Sequence, residues 1–284
     1  MNFHKVGVVG SGIMGSGIAE VVATCGSTVV LRSRTQESVD SVLDSLEKSL
    51  DKKVLKQLHS RANADAIRAR VTATVSFDEL VGCDFIIETV VEDVDVKKRV
   101  FKELDRVMAP DTILATNTST LSVMELATTI SHPERVCGMH FFNPASTMTL
   151  VEIVRPLTAS DETIKAVTDF ALACGKEPVE VTDQAGFIVN ALLFPYLNNA
   201  IRLLEQGVAT VDGIDVAMKG GCGFPMGPFA LLDLVGLDTS LAILDALHAA
   251  FGDDNLVAAQ RLRDMVARGE LGRKSGSGFY DYRQ

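Results

Sequence analysis

His140 and Glu152 are the two residues of this chain whose types and surroundings are best suited to proton transfer. His140 follows the apolar run that starts at Val136, and Glu152 lies inside the next apolar run, 150–154. A carboxylate in such a run requires a partner, because burying an unpaired charge is expensive, and His140 is the imidazole nearest in sequence. A His held by a Glu is a simple acid–base device, since the carboxylate fixes one ring nitrogen while the other faces a substrate. A purely structural His–Glu pair has the same local pattern, so the choice depends on the rest of the chain.

The length and composition of the chain limit the classes of protein to which it can belong. At 284 residues it is too long for one small core and suits two domains. Its net charge of -10 argues against nucleic acid and anionic membranes as partners. The histidines lack metal-ligand spacing, so no metal site is predicted. The five cysteines include no C-x-x-C pair, which favours reduced thiols and a cytoplasmic protein.

A glycine motif near the N-terminus predicts a dinucleotide site. An apolar strand at 5–9 leads into G-S-G-I-M-G at 10–15, a helix and a second strand at 27–31. In this context the first glycine allows a tight turn, the second lets a pyrophosphate approach the helix N-terminus, and the third allows the helix to pack closely on the strand. The context favours this interpretation over a glycine-rich turn without a ligand. The predicted cofactor contacts in this motif are Gly10, Gly12, Ile13, Met14 and Gly15.

The alternation of short apolar strands with helices continues to about residue 181 and predicts an α/β fold with a Rossmann-type doubly wound sheet. Further strands are predicted at 71–75, 83–87, 112–115 and 178–181, and helical segments at 35–70, 94–108 and 162–174. Ligands bind at the carboxyl ends of strands in such sheets. Asn117, Ser119 and His140 are all predicted to lie at strand ends of this kind.

Strand signals stop at Gly186, and the remainder predicts an all-α C-terminal domain. Helices are expected at 187–206, 211–219, 230–251 and 257–268, and the domains at 1–185 and 186–284. The apolar segment 186–204 carries too many polar residues for a membrane span. Roughly 100 residues cannot bury this much apolar surface alone, which favours a homodimer or higher homo-oligomer formed through these helices. The core of the helical bundle accounts for most of the same positions.

Three lysines recur at helical spacing in an otherwise acidic chain. Lys48, Lys52 and Lys56 lie at i, i+4 and i+8, with Lys53 beside them. Like charges at this spacing cost a helix roughly 0.2–0.5 kcal/mol per pair. The stripe is suited to a phosphate-bearing ligand, and it is equally compatible with a solvated helix face.

Seven motifs in a fixed order carry a resemblance that covers nearly the whole chain. They are G-S-G-I-M-G-S-G-I-A at 10–19, N-T-S at 117–119, G-M-H-F-F-N-P at 138–144, L-V-E-I-V at 150–154, G-F-I-V-N at 186–190, P-M-G-P at 225–228 and G-R-K-S-G-S-G-F-Y at 272–280. Together they resemble the 3-hydroxyacyl-CoA dehydrogenases, most closely the short bacterial members that act on 3-hydroxybutyryl-CoA. The resemblance implies a Rossmann-type domain for the nicotinamide dinucleotide, a helical domain for dimerisation and an acyl-CoA substrate in the cleft between them.

The resemblance also implies roles for individual residues. His140 matches the catalytic base and Glu152 its partner, while Ser119 and Asn190 match the residues that contact the 3-oxygen of the substrate. The positions that match contacts to the cofactor are Glu92, Lys97, Asn143 and Lys274, and Asn117 is added to this group from its strand end. The lysines that bind the CoA phosphates in relatives lie in the segment that matches Lys48, Lys52 and Lys56.

One departure from the family pattern concerns the choice of dinucleotide. Relatives that use NAD end the second strand in an acidic residue, whereas this chain has Arg32-Ser33-Arg34. A serine carries no charge to repel a 2′-phosphate, and the arginines offer guanidinium groups that suit one. The sequence therefore favours NADP(H) over NAD(H). The alternative is that both arginines are ordinary solvated residues and that NAD binds through the remaining contacts.

The function that these residues imply is the reversible, nicotinamide-dependent oxidation of (S)-3-hydroxyacyl-CoA to 3-oxoacyl-CoA. Two alternatives have related chemistry or the same fold. One is a dehydrogenase of a free hydroxy acid, such as a sugar acid, that uses a similar His–Glu pair. The other is a non-catalytic dinucleotide-binding relative, against which the presence of Ser119, His140, Glu152 and Asn190 argues.

Overall fold

Short apolar segments form the strands of one eight-stranded sheet in the N-terminal part of the chain. The computed structural model describes residues 3–283. The strands are β1 Lys5–Val9, β2 Thr28–Arg32, β3 Val71–Thr74, β4 Phe85–Glu88, β5 Ile113–Thr116, β6 Val136–Phe141, β7 Leu150–Arg155 and β8 Glu177–Thr182. β7 runs antiparallel to β6, and the other neighbours are parallel. The predicted Rossmann-type, mostly parallel sheet is confirmed.

The order of the strands determines where a ligand can bind. Across the sheet the order is β3-β2-β1-β4-β5-β6-β7-β8, so the chain builds outward from β1 in one direction and then, from β4, in the other. Parallel sheets of this kind bind ligands in the crevice where the strand order reverses, outside the carboxyl ends of the strands. In this sheet that crevice lies between β1 and β4.

Helices cover the sheet and bury its apolar side chains. They are α1 Ile13–Cys25, α2 Gln36–Leu55, α3 Arg61–Ala69, α4 Val94–Val107, α5 Val123–Ala127 and α6 Asp161–Ala173. The core contains Ile18 and Val22 of α1, Phe170 of α6 and the strand residues Val8 and Phe85, all almost wholly buried. The aromatic rings of Phe85 and Phe170 meet edge to face with their centroids 5.5 Å apart.

The helical region predicted from residue 35 to 70 is divided into two helices, α2 and α3. α2 ends at Leu55, and Gln57 has a φ of 58°, a left-handed conformation that a helix cannot continue through. α3 then begins afresh, with the Ser60 hydroxyl accepting a hydrogen bond from the Asn63 amide. Lys56 therefore lies just beyond the end of α2.

The second compact unit, Ala185–Gln284, is helical. Its helices are α7 Val189–Glu205, α8 Val211–Cys222, α9 Pro228–Val235, α10 Leu237–Phe251 and α11 Gln260–Ala267. Phe194, Leu197, Phe229, Leu232 and Leu244 form the centre of its core. No helix within residues 3–283 is both long and apolar enough to cross a membrane.

The predicted helix 230–251 is also two helices. The Gly236 amide ends α9 by donating to the Leu232 carbonyl, and α10 starts at Leu237 with Gly236 at a φ of 104°. That conformation is open to glycine and strained for other residues. A Cβ at this position would also lie 3.2 Å from Lys274 Nζ.

Gly236→Ala is expected to destabilise the helical unit by roughly 1–3 kcal/mol, because alanine is strained at this φ. Gly220→Ala is the matched control. Gly220 lies within α8, and a Cβ there meets no atom within 4 Å, so this change should stabilise the unit by about 0.4–1 kcal/mol. Urea unfolding of both variants measures the difference, and equal effects of the same sign would contradict this account of the helix break.

Candidate active site

The antiparallel pairing of β6 with β7 places His140 directly opposite Glu152. His140 Nδ1 lies 2.7 Å from Glu152 Oε2, and the two residues are 5% and 1% exposed. A carboxylate accepts, so Nδ1 carries the proton and donates it to Glu152. The neutral ring then has its lone pair on Nε2, the atom that can take a proton from a substrate.

The residues around His140 fix the end of β6. The imidazole ring packs on Phe142 with centroids 4.6 Å apart. Asn117, which directly follows β5, accepts a hydrogen bond from the Phe141 amide at 2.8 Å through Oδ1. The side-chain oxygen of Asn117 therefore joins the carboxyl ends of β5 and β6, two residues from the predicted substrate contact Ser119.

Lys176 is a residue of this region that the sequence reasoning missed. Its buried ammonium donates to the carbonyl oxygens of Ala145 and Met148, at 2.6 and 2.8 Å, in the loop that follows β6. Burial lowers the pKa of Lys176, since desolvation disfavours the charged form. The loop held in this way carries Asn143, which is exposed as a predicted cofactor contact requires. A lone lysine before a strand gave no signal of this role in the sequence.

Glu92 organises the loop that contains Ser119. Its Oε1 accepts hydrogen bonds from Thr118 Oγ1 at 2.6 Å, from the Ser119 amide at 2.8 Å and from the Thr120 amide at 3.2 Å. Glu92 was predicted to contact the cofactor, and its side chain is 38% exposed. One carboxylate therefore holds the backbone at the predicted substrate contact and keeps part of its surface open.

Lys97, a predicted cofactor contact, is too deeply buried in this structure to touch a ligand directly. Its side chain is 0% exposed, and its ammonium lies 2.9 and 3.0 Å from the two oxygens of Glu88 and 3.6 Å from Glu92 Oε2. In this structure the ammonium offers no surface to a ligand and acts on the neighbouring carboxylates. Glu88 was not predicted as a site residue, although it too is a carboxylate next to apolar strand residues, the signal that identified Glu152.

The glycine loop after β1 has the space and polarity that a pyrophosphate needs. A Cβ on Gly15 would lie 1.8 Å from the Gly10 carbonyl oxygen, so Gly15 is required for packing. A Cβ on Gly12 would meet no protein atom within 4 Å, and no side chain caps α1 at this residue. The amides of the first helical turn therefore face an open region that suits an anion. Ile13 is 79% exposed beside it and Met14 is half-buried, as expected of side chains that pack against a ligand.

The three residues at the end of β2 have different surroundings. The Arg32 guanidinium lies over the Phe77 ring at 4.2 Å, and its Nε donates to the Val75 carbonyl. Ser33 is 0% exposed, and its Oγ has no hydrogen-bond partner among residues 3–283. Arg34 is exposed. Of the two arginines, Arg34 is therefore the one presented to solvent.

The predicted lysine stripe is only partly helical. Lys48 and Lys52 are exposed on α2, and Lys56 is exposed just beyond its end. Lys53 differs from them, because its ammonium pairs with the buried Glu20 of α1. The three exposed lysines can meet an anionic ligand, and Lys53 holds α2 on α1.

Two predicted site residues belong to the second unit. Asn190 is buried in the first turn of α7, and Lys274 donates to Asp238 of α10 at 2.6 Å. In the first unit, by contrast, the structure brings Asn117, Ser119, Glu92 and His140 to the same edge of the sheet, at the carboxyl ends of parallel strands.

Comparisons with known protein families cover the chain almost end to end. The family described as 3-hydroxyacyl-CoA dehydrogenase, NAD binding domain, matches residues 5–184. The family described as 3-hydroxyacyl-CoA dehydrogenase, C-terminal domain, matches residues 186–282. The two matches follow each other in the order of the two compact units.

Individual relatives are similar over 91% or more of their length. The chain is 46% identical over 278 residues to a 3-hydroxybutyryl-CoA dehydrogenase of Clostridioides difficile, covering 98% of this chain and 99% of the relative. It is 41% identical to the mitochondrial hydroxyacyl-coenzyme A dehydrogenase of Homo sapiens, covering 98% and 91%. The crystal structure of (S)-3-hydroxybutyryl-CoA dehydrogenase from Ralstonia eutropha superposes with a TM-score of 0.97 at 39% identity, covering 100% of both chains.

Gly12→Ala is expected to leave the stability of the first unit within about 0.5 kcal/mol of the parent, since its Cβ meets no protein atom. The same Cβ occupies the space above the amides, so dinucleotide affinity should fall at least about tenfold. Gly15→Ala is the matched comparison and should destabilise the fold by about 1–3 kcal/mol through overpacking. Thermal unfolding and NAD(P)H fluorescence titration measure both quantities, and unchanged affinity in Gly12→Ala would exclude this loop as the pyrophosphate site.

Proposed function

Because the chain belongs to the 3-hydroxyacyl-CoA dehydrogenase family, we propose that it catalyses the reversible, nicotinamide-dependent oxidation of (S)-3-hydroxyacyl-CoA to 3-oxoacyl-CoA. The proposed substrate is 3-hydroxybutyryl-CoA and the product acetoacetyl-CoA, as the names of full-length relatives suggest. The observation that carries the proposal is the buried His140–Glu152 hydrogen bond of 2.7 Å, which lies at the edge of the sheet where the parallel strands have their carboxyl ends.

Oxidation of a secondary alcohol removes a proton from the hydroxyl oxygen and a hydride from the carbon that bears this hydroxyl. A bound nicotinamide dinucleotide would supply the acceptor for that hydride, and its reduced form would supply the donor for the reverse reaction. His140 Nε2 takes the hydroxyl proton and becomes part of an imidazolium, whose charge Glu152 stabilises across the Nδ1 hydrogen bond. In reduction the same nitrogen gives the proton to the carbonyl oxygen as the alcohol forms.

Ser119 is proposed to hydrogen-bond the substrate oxygen as it gains alkoxide character, where a fixed donor is most effective. The hydrogen bonds that Glu92 accepts from residues 118–120 support this role, because they restrict the backbone that carries the hydroxyl. The corresponding role of Asn190, and the cofactor contact of Lys274, are proposed from the motifs that contain them. Asn143 is proposed as a further cofactor contact on the same basis.

The CoA moiety supplies phosphate groups that require cations. We assign this role to Lys48, Lys52 and Lys56, supported by their exposure in a chain of net charge -10. The second unit is proposed to mediate formation of a homodimer or higher homo-oligomer. Its exposed apolar side chains support this assignment, among them Leu192 at 71% and Val216 at 62% exposure.

NADP(H) is the proposed dinucleotide in preference to NAD(H). Support comes from the end of β2, where the buried, uncharged Ser33 replaces a carboxylate that would repel a 2′-phosphate. Arg34 adds an exposed guanidinium one residue further on. Arg32 supports the proposal less, because its guanidinium already lies on Phe77.

His140→Gln is expected to lower kcat for acetoacetyl-CoA reduction by about 10² to 10⁴, because the proton donor is lost. Dinucleotide affinity and melting temperature should stay close to those of the parent. His132→Gln is the matched control, since His132 is an exposed imidazole paired with Glu134 away from the strand ends. A loss of less than about tenfold in His140→Gln would remove His140 from the mechanism.

Loss of the near-ultraviolet absorbance of NAD(P)H, measured with different substrates, distinguishes the proposed function from the two alternatives. The turnover rate of the unmodified protein is measured with acetoacetyl-CoA, with acetoacetate and with oxidised sugar acids, and the three rates are compared. Turnover of the free acids in preference to the thioester would identify a hydroxy-acid dehydrogenase. Dinucleotide binding without turnover of any of them would identify a non-catalytic relative.

The ratio of kcat/KM for NADPH to that for NADH tests the cofactor assignment, and the parent is expected to favour NADPH. Ser33→Asp should shift the ratio toward NADH by roughly tenfold or more through repulsion of the 2′-phosphate. Arg34→Ala should weaken NADPH more than NADH, whereas Arg99→Ala, an exposed arginine of α4, should leave the ratio unchanged. A clear NADH preference in the parent refutes the assignment.

A further inference from the structure

Glu88 is a buried carboxylate to which the mechanism above gives no task. It ends β4, is 0% exposed, and lies in register with Val9 of β1 on one side and Thr116 of β5 on the other. The glycine loop starts directly after Val9, and the Ser119 loop starts directly after Thr116. Glu88 therefore lies between the two loops at the point where the strand order reverses.

Each oxygen of Glu88 accepts hydrogen bonds from fixed donors. Oε1 accepts from the Val90 amide at 2.6 Å and from Lys97 at 2.9 Å, and Oε2 accepts from Thr116 Oγ1 at 2.7 Å and from Lys97 at 3.0 Å. Lys97 is also wholly buried. Taking two charges out of water is costly, and apolar pairs of similar volume are often neutral or stabilising replacements. A fully buried ion pair at this place thus calls for a role other than stability.

The ion pair is continuous with the residues that hold Ser119. Lys97 Nζ lies 3.6 Å from Glu92 Oε2, and Glu92 Oε1 accepts the hydrogen bonds from the Ser119 and Thr120 amides. The backbone makes a second link, because the Asn117 amide donates to the Glu88 carbonyl at 2.7 Å. On the other side, Thr89 Oγ1 donates to the Gly10 carbonyl at 3.0 Å. The segment 88–97 therefore contacts both the Ser119 loop and the glycine loop.

We infer that Glu88 and Lys97 are positioning residues that act on substrate through Glu92 and Ser119. Glu88 fixes the Lys97 ammonium, the ammonium fixes the Glu92 carboxylate, and Glu92 sets the position of the Ser119 backbone relative to the glycine loop. The inference rests on the proposed function for its effect on turnover. Its structural part is that the Glu88–Lys97 ion pair restrains residues 118–120 through Glu92. This part does not depend on any ligand.

The test replaces the ion pair by apolar residues of similar length, as Glu88→Met/Lys97→Met. This double variant should still fold, since neither member of the Glu88–Lys97 pair is left as a lone buried charge, although its melting temperature should fall because the Val90 amide and the Thr116 hydroxyl lose their acceptor. It should nevertheless lose about 10²-fold in kcat for acetoacetyl-CoA, because a shift of about 1 Å in a positioning group has an effect of that size. KM for the dinucleotide should change by a smaller factor than kcat, because the glycine loop keeps its own contacts. A stable double variant with the kcat of the parent overturns the inference.

A second measurement needs no activity. Hydrogen exchange of the Ser119 and Thr120 amides in the protein alone should become at least about tenfold faster in the double variant, with exchange in β5 unchanged. Unchanged exchange at both amides overturns the inference even if kcat falls. If the parent does not turn over acetoacetyl-CoA, the proposed function fails, while this measurement still decides whether the ion pair restrains the loop.

Single variants keep the test decisive if the double variant does not fold. Glu88→Gln keeps the shape of the side chain and removes the charge that holds Lys97, so it should lose activity and loop protection in the same way to a smaller extent. Asp105→Asn is the matched control, because Asp105 pairs with the buried Arg135 at 2.6 Å, at the amino end of β6 and away from the site. Equal loss of kcat in Glu88→Gln and Asp105→Asn would show a general effect on stability.

A thermodynamic cycle with Ser119→Ala identifies the route of the effect. If the ion pair acts through Ser119, removing the pair in the Ser119→Ala background should lower kcat by less than about threefold further, since residues that act as a unit are not additive. Full additivity of the two losses contradicts a route through Ser119.

Discussion

The candidate active site depends on the register between β6 and β7. These strands run antiparallel, so His140 and Glu152 face each other directly, with Met139 opposite Ile153 on the other face. Because side chains alternate along a strand, a slip of one residue would turn Glu152 to the opposite face and separate it from His140. Met139 and Ile153 are wholly buried, and their apolar packing opposes that slip. Burial of an apolar pair on one face of the sheet thus secures an acid–base pair on the other.

Two hydrogen-bonded groups of buried polar side chains lie at the carboxyl ends of the parallel strands. Glu88, Lys97 and Thr116 form one group, and His140 with Glu152 forms another. Parallel strands bring their carboxyl ends, and the loops that follow, to one edge of the sheet. Hydrogen bonds in such a shielded place are strong, and an unpaired group would be costly. The loops that are proposed to hold cofactor and substrate therefore start from restrained positions.

Lysines show how burial divides one residue type among several tasks. Lys97 is wholly buried between Glu88 and Glu92, whereas its neighbour Lys98 is partly exposed and pairs with Glu125 at 2.5 Å. Lys176 donates hydrogen bonds to carbonyl oxygens of the loop after β6, whereas Lys52 remains exposed on α2. Each ammonium carries the same charge, so its depth decides whether it binds the protein or is available to a ligand.

The sequence by itself determined the alternation of strands and helices, the glycine loop and the pairing of His140 with Glu152. These features depend on local patterns: apolar runs, glycines at fixed spacing, and one carboxylate in an apolar strand. Only the tertiary structure decided that Glu88 pairs with Lys97, that Arg32 lies on Phe77, and that the helices are interrupted at Gln57 and Gly236. Glu88 and Lys97 are separated by 9 residues along the chain, and Arg32 and Phe77 by more, so packing brings each pair together. Which of two adjacent lysines becomes buried depends on where the whole helix packs, and no local pattern contains that information.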